Sequence, residues 1–134
     1  LWIYHFGAHP RFGAAAGRIL GDLEAGRFTA IASELTLLEL TVLPLRQGRQ
    51  DIADEYELLL THFPNFELLP LSRDILLEAA ALRAEHGLRT PDALHIATAI
   101  KSGASAIVTN DASWRRPPSI PVVTLQSLRR DQDA

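Results

Sequence analysis

Residues 90–111 have the sequence TPDALHIATAIKSGASAIVTND, and this stretch decides the fold class. We place Thr90 at the N-cap of a helix, because a capping hydroxyl, a proline at the first position and an early acid are typical of helix starts. Gly103 is the expected stop signal of that helix. Residues 104–109 follow as an apolar run without a polar alternate face, as expected of a strand covered on both sides. A helix that leads into such a strand indicates a parallel sheet.

The rest of the chain repeats this alternation of helices and short apolar runs. Further helices are predicted over residues 11–25, 36–44, 51–63 and 74–86, and further strands over residues 28–33, 66–71 and 120–125. Pro44 is expected to bend or end its helix, while Ser72 and Gly87 are the expected cap and stop of the fourth. Strands separated by helices favour βαβ units. We therefore predict an α/β fold, a three-layer α/β/α domain with a mostly parallel sheet over residues 1–134, ending in a polar tail at 129–134.

The composition excludes several classes of protein. The chain has 134 residues, of which 47% are hydrophobic and 22% charged, which is typical of one globular domain. It contains no cysteine, so disulfides, thiolate nucleophiles and cysteine-ligated metals are excluded, and a reducing compartment is permitted. The 13 basic and 16 acidic side chains give a net charge of −3, which excludes a generally basic nucleic-acid coat. No apolar run is long enough to span a membrane, and we expect a cytoplasmic protein.

Three acids do not fit the solvated helix faces on which most of the other acids lie. Glu39 is expected in the first turn of an otherwise apolar helix, and Asp92 in the first turn of the helix that begins with TPD. Asp111 ends the run AIVTND, directly after a predicted strand. In an open parallel sheet, ligands bind in the crevice outside the carboxyl ends of the strands. Because each of the three acids can face that crevice, we predict that they converge there.

Each of these acids also has a purely structural explanation. Thr36 and Glu39 have the spacing of a capping box, in which the acid reaches back to the N-cap amide. Asp92 near a helix N-terminus is stabilised by the helix dipole, by a few tenths to about 1 kcal/mol. Asp111 lies among residues typical of turns, which often bond to their own backbone. Under this alternative the three acids are only capping and turn residues.

A crevice that gathers three carboxylates requires a cation. Two carboxylates about 4 Å apart repel each other by about 4 kcal/mol at an effective dielectric constant of about 20, and a bound cation reverses that sign. Mg²⁺ binds one or two carboxylates together with a substrate phosphate. The lack of cysteine favours Mg²⁺ or Mn²⁺ over Zn²⁺. The chemistry that such a site serves best is metal-assisted hydrolysis of a phosphodiester.

Five segments resemble the PIN-domain ribonucleases and, among them, the VapC-type toxins of bacterial toxin–antitoxin pairs. They are LWIY at residues 1–4, SELTLLE at 33–39, RTPDALHIATA at 89–99, AIVTND at 106–111 and PVVTL at 121–125. They stand in the family's order and span essentially the whole chain. The resemblance implies a PIN-like fold in which Glu39, Asp92 and Asp111 hold Mg²⁺ or Mn²⁺ for the cleavage of single-stranded RNA regions. It also implies that Thr109 lies close to the metal.

The chain departs from the family pattern at its start. The family's first acid ends a strand, in an Asp-x-Ser/Thr/Asn pattern, immediately before a segment like LWIY. The chain begins just after that position and contains no methionine. We therefore expect that residues ahead of Leu1 carry the first, central strand and a fourth acid. The alternative is a catalytically compromised remnant, in which the missing strand exposes the pairing groups of its two neighbours.

Several further residues have alternative interpretations. The candidate cations for RNA are Arg11, Arg89, Arg115 and Arg116. Trp114 beside two arginines either stacks on a base or packs a loop. His95, three residues after Asp92 on the same helical side, is expected to have a structural role, with proton transfer as the alternative. The apolar helices at 37–43 and 52–63 predict core packing or, alternatively, the groove of a homodimer or of an antitoxin.

The sequence leaves three functions open. The first is a Mg²⁺- or Mn²⁺-dependent endoribonuclease, the toxin of a toxin–antitoxin pair, with RNA as substrate, a cognate antitoxin as partner and a homodimeric assembly. The second is a non-catalytic PIN-like module that binds RNA or protein without a metal. The third is a small α/β domain whose three acids only cap helices.

Overall fold

The computed structural model describes residues 13–105, 107–109 and 122–124. In chain order they form helix α1 (Gly13–Glu24), strand β1 (Ala30–Ser33), helices α2 (Leu35–Arg46) and α3 (Gln50–His62), strand β2 (Phe66–Leu69), helices α4 (Arg73–His86) and α5 (Thr90–Ser102), and strands β3 (Ile107–Thr109) and β4 (Val122–Thr124). The predicted order of helices and strands is confirmed. Strands β1 and β2 are shorter than predicted, because only the residues opposite a hydrogen-bonding neighbour stay in the ladder.

Both strand pairs of the described residues are parallel. β1 pairs with β2 in a register that sets Ala30 opposite Phe66, and β3 pairs with β4 with Ile107 opposite Val122. Across the described ranges, the two pairs form two separate two-stranded sheets. The central strand expected ahead of Leu1 stays a prediction.

The helices pack in two groups around the strands. One core joins α4, α5 and Ile107 of β3, and α5 also packs on β1. The other joins α1, α2 and α3 with Phe66 and Leu68, which share one face of β2 because they are two residues apart. Leu60 in the second core and Ile96 in the first are completely buried, and each such side chain contributes about 1.5–3 kcal/mol. The predicted α/β/α arrangement is confirmed.

The cap and stop predicted for α4 are confirmed. The Ser72 side chain accepts a hydrogen bond from the backbone N–H of Ile75 at 3.3 Å, and Gly87 ends the helix in the left-handed conformation at φ 65°. Pro44 does not end its helix, since α2 continues past it to Arg46, and the alternative of a bend stays a prediction. Because Pro44 is in the last turn and buried, its ring removes a single backbone bond near a helix end that is already incomplete.

The capping box predicted for Thr36 and Glu39 is wrong. α2 begins one residue earlier, at Leu35, and its N-cap Glu34 makes no side-chain capping bond. The hydroxyl of Ser33 accepts from the backbone N–H of Leu35 at 3.1 Å instead. Ser33 is only 1% exposed at the end of β1, so its buried hydroxyl satisfies the start of α2 before Thr36 is reached. The capping explanation of Glu39 is thereby removed.

The N-cap of α5 also differs from the prediction. The helix begins at Thr90 itself, and Arg89 is the N-cap without a side-chain capping bond. Asp92 does lie in the first turn, and Gly103 ends α5 in the left-handed conformation at φ 76°. The start of α5 is therefore set by an arginine and an aspartate rather than by a capping hydroxyl.

Candidate functional site

Two of the three predicted acids lie on helices that start at one edge of the strands. Glu39 is in the second turn of α2, which leaves the carboxyl end of β1. Asp92 is in the first turn of α5, and α5 leads directly into β3. In a parallel sheet, the helix that connects two strands begins near the edge at which both strands end. Asp111 lies outside the described residues, just beyond the end of β3 at Thr109.

A contact between Glu39 and His95 joins α2 to α5. Glu39 Oε1 lies 2.6 Å from His95 Nε2, although the two residues are 56 positions apart. This distance is typical of a short, charge-assisted hydrogen bond. Asp92 and His95 are three positions apart on α5 and so share one helical face. The contact therefore brings the carboxylate of Glu39 to the face of α5 that carries Asp92.

Asp92 has a basic neighbour of its own. The Nε–H of Arg89 donates to Asp92 Oδ2 at 2.8 Å. The Asp92 side chain is 15% exposed, whereas that of Arg89 is 72% exposed. A carboxylate that is mostly withdrawn from water keeps its charge at lower cost when a cation pairs with it. Arg89 thus places a guanidinium at the solvent side of the acid.

The donor atoms of this edge suit a hard divalent cation. Carboxylate oxygens are the ligands that Mg²⁺ accepts, and it commonly uses one or two of them with water and a substrate phosphate. Glu39 and Asp92 supply two such groups from two helices. Across residues 17–105 and 107, whose side chains the structure describes, no group of three His, Asp or Glu side chains is close enough to hold a metal ion. The third predicted donor, Asp111, lies beyond that part of the chain.

The outer face of α2 is apolar. Leu38, Val42 and Leu45 follow one another at helical spacing and are 59%, 37% and 48% exposed. The opposite face of the same helix is buried through Leu40 and Pro44. Core packing and an exposed apolar surface, which the sequence left as alternatives for this helix, are therefore both present, on opposite faces.

The comparison with protein families identifies the chain. The model of the PIN domain family matches residues 1–119. The chain belongs to the PIN domain family. This membership agrees with the α/β/α arrangement and with the resemblance seen in the five sequence segments. The match also includes the positions of the three predicted acids.

A solved structure supports the same assignment for this PIN domain. A chain of a toxin–antitoxin complex from Klebsiella pneumoniae is 28% identical in sequence, with a TM-score of 0.55. The similarity covers 69% of this chain and 71% of that chain. The comparison with curated proteins gives no significant match. Among the helices that the structure describes, none has the length and apolar character needed to cross a membrane.

Sequence reasoning did not predict two contacts of this edge. The sequence favoured a structural role for His95, with proton transfer or substrate contact as alternatives, but it did not predict the contact with Glu39; its position three residues after Asp92 was the available signal. Ser33 was not identified as the residue that supports the start of α2, because the hydroxyl of Thr36 has the more familiar spacing. The remaining candidates Arg11, Trp114, Arg115 and Arg116 lie outside the described residues.

Proposed function

We propose that this PIN domain is a Mg²⁺- or Mn²⁺-dependent endoribonuclease and the toxin of a toxin–antitoxin pair. PIN domains are generally nucleases, which sets the reaction class. The observation that carries the proposal is the 2.6 Å contact of Glu39 with His95, because it links the Glu39 carboxylate to the helix face of Asp92. In this proposal both acids lie at the edge where β3 ends. Asp111 follows two residues after the end of β3 in the sequence. We further propose that the protein acts in the cytoplasm, where its RNA substrate is found.

In the proposed site, Glu39, Asp92 and Asp111 would hold the metal. A metal held by these acids would supply an activated water and neutralise charge on the scissile phosphate. Arg89 pairs with Asp92 and keeps a guanidinium at the mouth of the site, where it attracts the RNA backbone. The buried flanks of α5, formed by Ala93 and Ile96, keep this helix fixed and water away from the rear of the site.

An antitoxin is the protein partner that we propose. The similar chain from Klebsiella pneumoniae belongs to a toxin–antitoxin complex, and the apolar outer face of α2 offers a surface to a protein partner. A second copy of the chain is the other predicted occupant, and we propose a homodimer as the free state of the toxin. The molecular mass in solution, measured for the chain alone and for the chain co-expressed with an antitoxin, tests both assemblies.

The experiment that tests the catalytic proposal is RNA cleavage by the purified protein. We expect cleavage with Mg²⁺ or Mn²⁺, none with EDTA, and recovery when the metal is returned. Asp92→Asn and Asp111→Asn should each abolish cleavage while the circular dichroism spectrum is unchanged. Full activity of either variant contradicts the site assignment.

A non-catalytic PIN-like module that binds RNA or protein is the second candidate. It is favoured by one observation: each described acid of the site already has a basic neighbour, His95 for Glu39 and Arg89 for Asp92. Such pairs reduce carboxylate repulsion without a metal. Calorimetric titration with Mn²⁺ separates the two functions, because the binding module is expected to take up no Mn²⁺ and the nuclease is expected to bind it.

A further inference from the structure

The Glu39–His95 contact differs from the other side-chain contacts of the described residues. Five other pairs of polar or charged side chains join residues at most five positions apart: Arg27–Asp22, Arg49–Asp51, Gln50–Asp54, His86–Glu85 and Arg89–Asp92. The pair Glu39–His95 spans 56 positions and has the shortest distance among them, 2.6 Å. A contact of this length links a side chain of α2 directly to a side chain of α5.

The two partners differ in how firmly they are held. His95 is 22% exposed and lies on α5 between Leu94 and Ile96, which are 8% and 0% exposed. Glu39 is 34% exposed and follows Leu38, which is 59% exposed on the outer side of α2. Glutamate has more rotatable side-chain bonds than histidine and loses more rotamer entropy when it is ordered. The more buried histidine is therefore the more restricted partner, and the contact orients the glutamate.

We propose that His95 is a positioning residue that holds the Glu39 carboxylate in the orientation required to bind the catalytic metal. This inference rests on the proposed function, since it requires Glu39 to be a metal ligand. His95 Nε2 contacts Oε1, which leaves Oε2 of the same carboxylate to face a cation. Carboxylate ligands of metal sites are commonly held by hydrogen bonds from neighbouring residues, and loss of such a partner typically lowers metal affinity about 10–100-fold.

The test is Mn²⁺ affinity, measured by calorimetry on the full chain in the absence of RNA. We expect His95→Ala to weaken Mn²⁺ binding by about 10–100-fold. His95→Gln should recover part of that loss, because the amide nitrogen of glutamine can donate close to the position of Nε2. The matched control is His62→Ala, which removes an exposed histidine at the end of α3 and should leave Mn²⁺ affinity unchanged.

A double-mutant cycle separates positioning from a general loss of structure. If His95 acts through Glu39, then Glu39→Gln combined with His95→Ala should bind Mn²⁺ no more weakly than Glu39→Gln alone. Additive losses in the double variant would overturn the proposal. Tighter Mn²⁺ binding by His95→Ala would also overturn it, because His95 would then compete with the metal for the carboxylate. Melting curves of the four proteins are the control that tests whether each is folded.

The failure of this inference is distinguishable from the failure of the proposed function. If the unaltered protein binds no Mn²⁺, or if Glu39→Gln leaves the affinity unchanged, the metal site is wrongly assigned and the positioning role falls with it. If Glu39→Gln weakens Mn²⁺ binding and His95→Ala does not, the metal site stands and the positioning role is refuted. His95→Gln keeps this second comparison valid even if His95→Ala is unstable.

Discussion

Two helices of this protein begin with the same local chemistry. At the start of α3 the N-cap is Arg49, which pairs with Asp51 through two hydrogen bonds of 3.0 and 2.9 Å. At the start of α5 the N-cap is Arg89, which pairs with Asp92 at 2.8 Å. Neither N-cap makes a side-chain capping bond. The difference lies in the acid: the Asp51 side chain is 63% exposed and that of Asp92 is 15% exposed.

The two helix starts share one local motif, so the difference in the exposure of their aspartates comes from the surrounding structure. The pair at α3 stands in water, and the hydrogen bond from Arg49 lowers the pKa of Asp51 below its ordinary value. The pair at α5 belongs to a helix that packs on α4 and β1. His95 of the same helix contacts Glu39 of α2 on the face that carries Asp92. Of these two helix starts, only that of α5 has a carboxylate from another helix, Glu39, in contact with the helix face that carries its aspartate.

The largest expected effect is on catalysis, and it separates the two aspartates. Asp92→Asn should reduce metal-dependent RNA cleavage to the level measured in EDTA. Asparagine has the same shape as aspartate but lacks the negative charge that a metal ligand requires here. Asp51→Asn should leave the cleavage rate unchanged, because Asp51 pairs with the exposed Arg49 at the start of α3, away from the proposed site. Cleavage rates with Mg²⁺ check this prediction. Equal losses in both variants would mean that the two helix starts do not differ in function.

The arginines of the two pairs should differ in their effect on RNA binding. Arg89→Ala should raise the KM for RNA about tenfold, as expected for the loss of one hydrogen bond to a charged group. It should also lower the slope of binding against salt by about 0.7 on logarithmic axes, the value for one phosphate contact with a single strand. Arg49→Ala serves as the control and should change neither quantity. Kinetics at several salt concentrations test this, and identical behaviour of the two variants would contradict it.

Helix capping should distinguish a third helix start from these two. Ser72→Ala removes the hydroxyl that accepts from Ile75 at α4 and should lower the free energy of unfolding by about 1 kcal/mol. Thr90→Ala removes a hydroxyl that is not at the N-cap of α5, so the loss should be no more than a few tenths of a kcal/mol. Urea unfolding followed by circular dichroism measures both. A larger loss for Thr90→Ala would restore the capping role that the sequence suggested.

The smallest expected effect is the contribution of the exposed pair to stability. Arg49→Ala should lower the melting temperature by about one degree at pH 7, since exposed ion pairs contribute little. The folded-state pKa of Asp51 is lowered, so its contribution is present above its ordinary pKa of 3.8 and is lost as the pH falls through the folded value. The hydrogen bond to Asp51 raises the pKa of Arg49, which matters only in strongly alkaline solution. Melting curves of the two proteins should therefore approach each other as the pH falls below 3.8, and a constant difference down to about pH 2 would contradict the assignment.

Much of the fold could be predicted because its signals are local. Ser72, Gly87 and Gly103 mark helix ends through the backbone geometry of adjacent residues, and the apolar run before Asp111 indicates a covered strand. The predicted order of elements follows from these signals. The start of α2 could not be predicted in the same way, because burial of Ser33 at the end of β1 decided which hydroxyl serves that helix.

The sequence names the acids of the candidate site but does not predict their contacts. The sequence alone supplied the identity of Glu39, Asp92 and Asp111, the cysteine-free donor set and the alternation that sends helix starts and strand ends to one edge. The tertiary structure decided that Asp92 is withdrawn from water while Asp51 is not, and that Glu39 meets His95. The physical reason is that propensity and capping act over a few neighbouring residues. Burial and the partner of a side chain depend instead on elements that are distant in the chain and meet only when the helices pack.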